Sequence, residues 1–260
     1  MCYFCDVINQ TTNIMNRIFK AISAIASVVI LSACGNPEEK NIVLHYDFSK
    51  VEGNIVKDLG PNHVDAVLMN EASVSNSVMS LGNGSGYLDM TSKAGDVMKT
   101  LDDFTVSAIY RVKPDTKVVG YGYFLWCFSE KEANAAEEGP YHAFRINEQR
   151  CETSTGGYKH ETGVQTGTIS EMGPWLSVIF RQKDGHGELI LDGKVVDTED
   201  GFPTPSSIFQ VAPEFNWMGR PPFNGDHYLN GVEVYDYRIY GTAISDDEVS
   251  RLVKLSAEVK

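Results

Sequence analysis

One part of this 260-residue chain sets flat rings beside hydrogen-bonding side chains, and that mixture suits the recognition of sugars. A sugar ring offers C–H faces that stack on aromatic side chains, while its hydroxyls need polar partners close by. Tyr121, Tyr123, Trp126, Tyr141, His142 and Arg145 fall on two runs that read as neighbouring strands, and Tyr158 and His160 follow them. On the second run Arg145, Asn147 and Gln149 alternate with Phe144 and Ile146, which predicts one polar and one apolar face. A polar sheet face rimmed with aromatics would hold a glycan, although Trp126 and Phe124 suit a hydrophobic core equally well. A second group, Trp217, Arg220, Phe223, Asp226, His227 and Tyr228, lies just before a long alternating run. There Trp217 and Arg220 are candidates for ligand contact, or an Arg220–Asp226 ion pair would pin the loop.

Other chemistries find weaker support. Retaining glycosidases place two carboxyl groups about 5–5.5 Å apart on one face. Glu233 and Asp236 are three apart, so a regular strand points them to opposite faces; Glu148 and Glu152 share a face only if the strand continues through Arg150 and Cys151. The six histidines show no H-E-x-x-H spacing, and no G-x-S-x-G elbow is present. The glycine cluster 82–86 leads into a strand-like run, Tyr87 to Met90, so it reads as a surface loop and not a phosphate cradle.

The elements needed to position these groups are strands. From Asn41 onward, short alternating or apolar runs are broken by Gly, Pro, Asn and Asp, the pattern of an all-β sandwich. Leu44, Tyr46 and Phe48 alternate with polar residues, as do Phe104, Val106, Ala108 and Tyr110. Asp192-Gly193 predicts a two-residue hairpin, which needs positive φ at both central positions. Residues 228–240 predict a long strand, and Ser245 with Glu248 has capping-box spacing at the start of a helix over 245–256. Asp246 and Asp247 suit the positive end of its dipole. No second helix is expected.

Residues 215–249 resemble the closing segment of the LamG-like jelly-roll family, also called the concanavalin A-like lectin/glucanase fold, as found beside glycoside hydrolases in gut Bacteroidetes. The residues carrying the resemblance are Gly219-Arg220, Asp226, Tyr228-Leu229, Asp236-Tyr237-Arg238-Ile239-Tyr240 and Ala243-Ile244-Ser245. Shorter matches occur at Tyr46-Asp47-Phe48, Val56-Lys57-Asp58, residues 103–107, Val112-Lys113-Pro114, Trp175 and Leu191-Asp192-Gly193. The resemblance implies a two-sheet antiparallel jelly-roll sandwich with one short C-terminal helix. It also implies a structural calcium, for which Asp58 and Asp236 are the candidate ligands. Such sandwiches host binding modules, enzymes and adhesion domains alike. The residues favour a non-catalytic carbohydrate-binding protein; a glycoside hydrolase or lyase and an adhesion or scaffold module are the alternatives.

Residues 15–20 are basic, residues 21–31 form a short apolar run, and Leu31-Ser32-Ala33-Cys34 looks like a bacterial lipobox. This predicts a signal segment over 1–33, cleavage before Cys34, lipidation of its thiol, a tether over 34–40 and a sandwich domain over 41–257. Residues 1–14 would then precede a translation start at Met15. Acyl chains on one cysteine would hold the protein at a cell envelope, in the periplasm or at the surface, without a spanning helix. With 22 basic and 35 acidic residues the net charge is −13, which disfavours nucleic-acid partners. In the folded part only Cys127 and Cys151 remain, and two buried thiols are expected in preference to a bridge.

Overall fold

The computed structural model describes residues 37–169 and 172–259. The signal segment, the start at Met15 and the lipidation of Cys34 lie outside the described residues. Pro37–Asn41 form a 3-10 turn, and the residues from Asn41 onward cluster as a compact unit.

Strands β1 (Ile42–Tyr46), β2 (Val51–Glu52), β3 (Ile55–Val56), β4 (Ala66–Met69), β5 (Ser73–Ser75), β6 (Val78–Ser80) and β7 (Tyr87–Asp89) lead to helix α1 (Thr91–Met98). Next come β8 (Phe104–Val112), β9 (Phe124–Ser129), β10 (Tyr141–Arg145), β11 (Arg150–Ser154) and β12 (Glu161–Gln165). They are followed by β13 (Leu176–Lys183), β14 (His186–Leu191), β15 (Lys194–Asp200), helix α2 (Pro205–Ile208), β16 (Phe215–Met218), β17 (Val232–Tyr240) and helix α3 (Asp246–Glu258). One sheet runs in the order β15-β14-β13-β8-β17-β6-β5, with β1 also paired to β17; the other runs β12-β11-β10-β9-β16-β7-β4-β3-β2. Every ladder between these strands is antiparallel. The all-β, two-sheet expectation therefore holds.

The faces turned toward each other bury Tyr46, Phe104, Val106, Trp126, Phe144, Phe180 and Tyr237 in a single cluster. This burial is the main source of stability, because apolar area removed from water contributes about 25 cal/mol per Å². The hairpin at Asp192-Gly193 has φ of 45° and 80°, as the turn type requires. Helix α3 is capped by Ser245, whose side chain accepts from the Glu248 N–H at 3.3 Å. Glu248 turns inward, and its Oε1 accepts from the Tyr240 hydroxyl at 2.9 Å.

Two departures have clear causes. Strand β17 carries an irregularity opposite β8 between Val234 and Asp236, so Val234 and Tyr237 both enter the core although they are three apart. The extra residue resets the alternation and puts Glu233 and Asp236 on the same outer face, against the regular-strand expectation. They still form no working pair: Glu233 is held by Arg111 at 2.6 Å and Lys113 at 3.1 Å, and Asp236 by His45 and Arg238.

The second departure is the appearance of α1 and α2. Helix α1 buries Ala94, Gly95 and Met98 and lies against β16. Its close approach depends on Gly95, where a Cβ would stand 1.8 Å from the Pro213 carbonyl oxygen. Gly95→Ala is expected to cost about 2 kcal/mol through overpacking, despite alanine's better helix propensity. Urea unfolding checks this; a gain in stability would show that the helix can lift without cost.

Candidate functional site

The outer face of the second sheet carries a depression of about 590 Å³ lined by Tyr121, Asn134, Arg145, Tyr158, Glu161, Phe223, Asn224 and Asp226. Its floor follows from strand alternation on β10. Tyr141, Ala143 and Arg145 point outward, whereas His142 and Phe144 point between the sheets. On the neighbouring β9 the pairing skips Leu125, which brings Phe124 and Cys127 to the outer face and Trp126 to the inner one. Phe223 closes over this floor, with ring centroids 6.0 Å from Phe124, 5.5 Å from Tyr141 and 6.0 Å from Tyr158.

Two rings remain largely open to solvent, Tyr158 with only an edge contact to Phe223. Tyr121 is 77 % exposed and Tyr158 53 %. Gly120 and Gly122, at φ of 98° and 106°, reverse the chain on either side of Tyr121 and turn its ring outward. Gly122 must lack a side chain there, since a Cβ would meet the His227 carbonyl oxygen at 2.4 Å. Tyr158 is fixed from below by its N–H, which donates to the Ala135 carbonyl at 3.2 Å. The loop of Ala135 is joined in turn to the Phe223 loop, where the Asn134 N–H donates to the Pro222 carbonyl at 2.6 Å.

Beneath and beside the rings runs a chain of charges. Arg145 Nη2 lies 2.9 Å from Glu148 and 3.3 Å from Glu152. Arg150 Nε donates to Glu152 at 2.6 Å and its Nη2 to Glu161 at 2.9 Å; the second Glu161 oxygen accepts from the Tyr141 hydroxyl. Glu152 is fully buried, and burial pushes its carboxyl up to about 8 against the pull of Arg145 and Arg150. Asp226 is also raised by burial, opposed by Arg145 and His227, and among the described residues no donor hydrogen-bonds to its carboxylate. Three further polar atoms have no partner: Arg145 Nε, Glu152 Oε1 and Asn134 Oδ1.

Only part of the sequence-derived set meets here. Tyr121, Arg145 and Tyr158 line the depression, and Tyr141 forms its buried floor. Trp126 is sealed between the sheets, stacked on Phe144 at 4.8 Å, and offers no ring face to a ligand. His142 is likewise internal, packed on Phe104 and Phe180, and burial lowers its pKa to about 3. Tyr123 folds back into the core, donating its hydroxyl to Val119 O at 3.0 Å. Asn147 sits in the turn after β10, not on the strand, and donates to Gly120 O at 3.1 Å. Trp217 is buried under Arg220, whose guanidinium carbon stands 3.8 Å from the ring centroid. Arg220 pairs with Glu132 at 2.7 Å and not with Asp226.

The carboxylates proposed for calcium do not fit a shared ion. Asp58 accepts from the backbone N–H groups of His45, Gly60 and Val64, each at 2.8 Å. Asp236 accepts from His45 Nε2 at 2.8 Å and from two nitrogens of Arg238 at 2.7 and 3.0 Å. Hard-cation sites need oxygens free of such donors. Among the described residues no group of three or more His, Cys, Asp or Glu is placed to hold a metal. Cys127 and Cys151 are free and buried, on opposite faces of the same sheet.

Sequence reasoning missed Asn134, Glu161 and Asn224, and it weighed Glu152 only as a partner of Glu148. Glu161 starts a strand after a Gly-rich turn, and nothing in its local pattern separates it from other surface acids.

No family model matches the sequence, and no curated protein matches it. Solved structures do. The receptor-binding domain of a botulinum neurotoxin C/D mosaic serotype superposes with a TM-score of 0.62 at 11 % identity, over 83 % of this chain and 51 % of that one. The binding domain of botulinum neurotoxin DC in complex with SialylT gives 0.58 at 12 % identity, over 84 % and 52 %. The same domain in complex with rat synaptotagmin II gives 0.61 at 12 %, again over 84 % and 52 %. The chain thus spans about half the length of these neighbours, and the likeness shows a common fold.

Proposed function

We propose that this chain is a non-catalytic carbohydrate-binding protein, held at a bacterial cell envelope by lipid on Cys34, and that its glycan enters the depression on the outer face of the second sheet. The observation that carries this reading is the pair of exposed rings, Tyr121 and Tyr158, at the rim of a concavity whose other walls are largely polar. Rings held open to water in this way serve recognition better than packing. The neurotoxin domain bound to SialylT supports a glycan as the ligand class on this fold. Stacking would supply affinity, and Arg145, Asn224 and Asp226 would orient the hydroxyls.

A broad glycan array followed by calorimetric titration of the full chain tests the reading. Saturable binding is expected, and Tyr121→Ala or Tyr158→Ala should each weaken it about tenfold, close to 1.4 kcal/mol, through lost stacking. Binding unaffected by both substitutions would move the site elsewhere.

One observation favours hydrolysis as a second reading: Glu161 and Asp226 line the same depression. Against it, both oxygens of Glu161 are engaged, by Tyr141 and Arg150, which leaves Asp226 without a second free carboxylate to share the work. Sugar released from a bound polysaccharide, and lost in Asp226→Asn, would establish the enzyme.

A further inference from the structure

The depression's polar groups are matched unevenly, and the mismatch points to the kind of sugar that would complete it. Its lining holds one cation, Arg145, against two carboxylates, Glu161 and Asp226. The positive charge of Arg145 is already balanced by Glu148, and that of Arg150 by Glu161. With Glu152 left out as a buried acid, three carboxylates (Glu148, Glu161, Asp226) still face two arginines. The adjoining loop adds Glu130, Glu132, Glu137 and Glu138; Glu132 pairs with Arg220 and Glu137 with Lys159 and His160, which leaves Glu130 and Glu138 beside Lys131.

An acidic surplus on its own would be a solvated surface. What sets this one apart is an unmatched acceptor in the wall of a cavity rimmed by exposed rings. Asp226 is half-buried there, and none of the described residues donates to its carboxylate. Its oxygens are open to a ligand's donor. A ligand carboxylate or sulfate would set acceptor against acceptor, whereas an ammonium supplies several donors and a compensating charge. The π faces of Tyr121 and Tyr158 also favour a cation lying over them.

We propose that, given the glycan-binding reading above, the sugar unit seated between Tyr121 and Tyr158 carries a free amine, bound as an ammonium by Asp226.

The test is calorimetric titration of the full chain with glucosamine oligomers, their N-acetylated counterparts and uronic-acid oligomers of equal length, at mildly acidic pH where the amine is charged. The free-amine oligomer is expected to bind about tenfold more tightly than the N-acetylated one, and the uronic-acid oligomer least, as a charge-assisted hydrogen bond predicts. Asp226→Asn should bring the ratio of the first two close to one, and added salt should narrow it in the wild type. Equal affinities in the wild type, a preference for the uronic acid, or a ratio untouched by Asp226→Asn would overturn the inference. If such binding still depended on Tyr121, the glycan reading would survive without it. Absence of binding to any sugar would overturn both.

Discussion

Trp126→Ala is expected to lower the free energy of unfolding by about 3–5 kcal/mol, the usual cost of deleting a buried aromatic. The side chain is fully buried, stacks on Phe144 at 4.8 Å and reaches Tyr237 at 6.2 Å, so its loss opens a cavity where the two sheets meet. Surrounding rings in a two-sheet core cannot collapse into that space without shifting strands. The same substitution should leave glycan affinity unchanged in whatever fraction remains folded, because the indole faces away from the depression. Tyr121→Ala should do the reverse and alter stability by no more than about 0.5 kcal/mol, as an exposed side chain does. Chemical denaturation and titration of the two variants together separate core from site. A stable Trp126→Ala protein that binds poorly would mean that the ring faces ligand after all.

The second large effect is on the pH dependence of stability, and its two limbs come from two buried groups of opposite sign. His142 titrates near 3 in the fold and near 6.5 outside it, so protonation favours unfolding. Its contribution is complete above about 6.5 and is lost as pH falls toward 3. Glu152 behaves conversely: it titrates near 8 in the fold against 4.5 outside, so its contribution is complete below 4.5 and is lost as pH rises through 8. The slopes cancel between about 4.5 and 6.5, which makes a plateau. On either side stability should fall, by an amount on the order of 1 kcal/mol per pH unit. Urea midpoints measured across pH would show this shape. His142→Phe should flatten the acid limb and Glu152→Gln the alkaline one. A profile that keeps rising from pH 6 to 8 would contradict the assignment of Glu152.

These two groups also show where the sequence was legible and where it was not. Alternation at Leu44, Tyr46 and Phe48 marked a strand correctly, since one of its faces is buried and the other partly open. Ser245 with Glu248, and Asp192-Gly193, marked a helix start and a hairpin because each signature reflects local backbone chemistry. The rings on β9 and β10 carried no such local information. Every residue of β9 is buried, as are all of β10 except Arg145, because loops 131–139 and 220–228 roof the outer face while the other sheet covers the inner one. With both faces apolar, pattern alone cannot say which face a tryptophan joins, and the skip at Leu125 reverses the parity besides. Spacing alone thus places Trp126 and His142 with Tyr141 and Arg145, from which the sheet itself separates them.

The position of Tyr158 was likewise hidden. It depends on hydrogen bonds to Ala135 from a loop some twenty residues upstream, an arrangement set by tertiary closure. Helix α1 escaped notice for a related reason: its tight seat rests on Gly95, a residue that lowers intrinsic helix propensity.

The most direct measurement is a crystal structure of the full chain with an array-selected oligosaccharide. The account predicts a sugar ring stacked on Tyr121 or Tyr158, about 4 Å from its face, with polar contacts to Asp226 and Arg145. A sugar seated on the opposite sheet, or against Trp217 and Arg220 with the depression left to solvent, would contradict it.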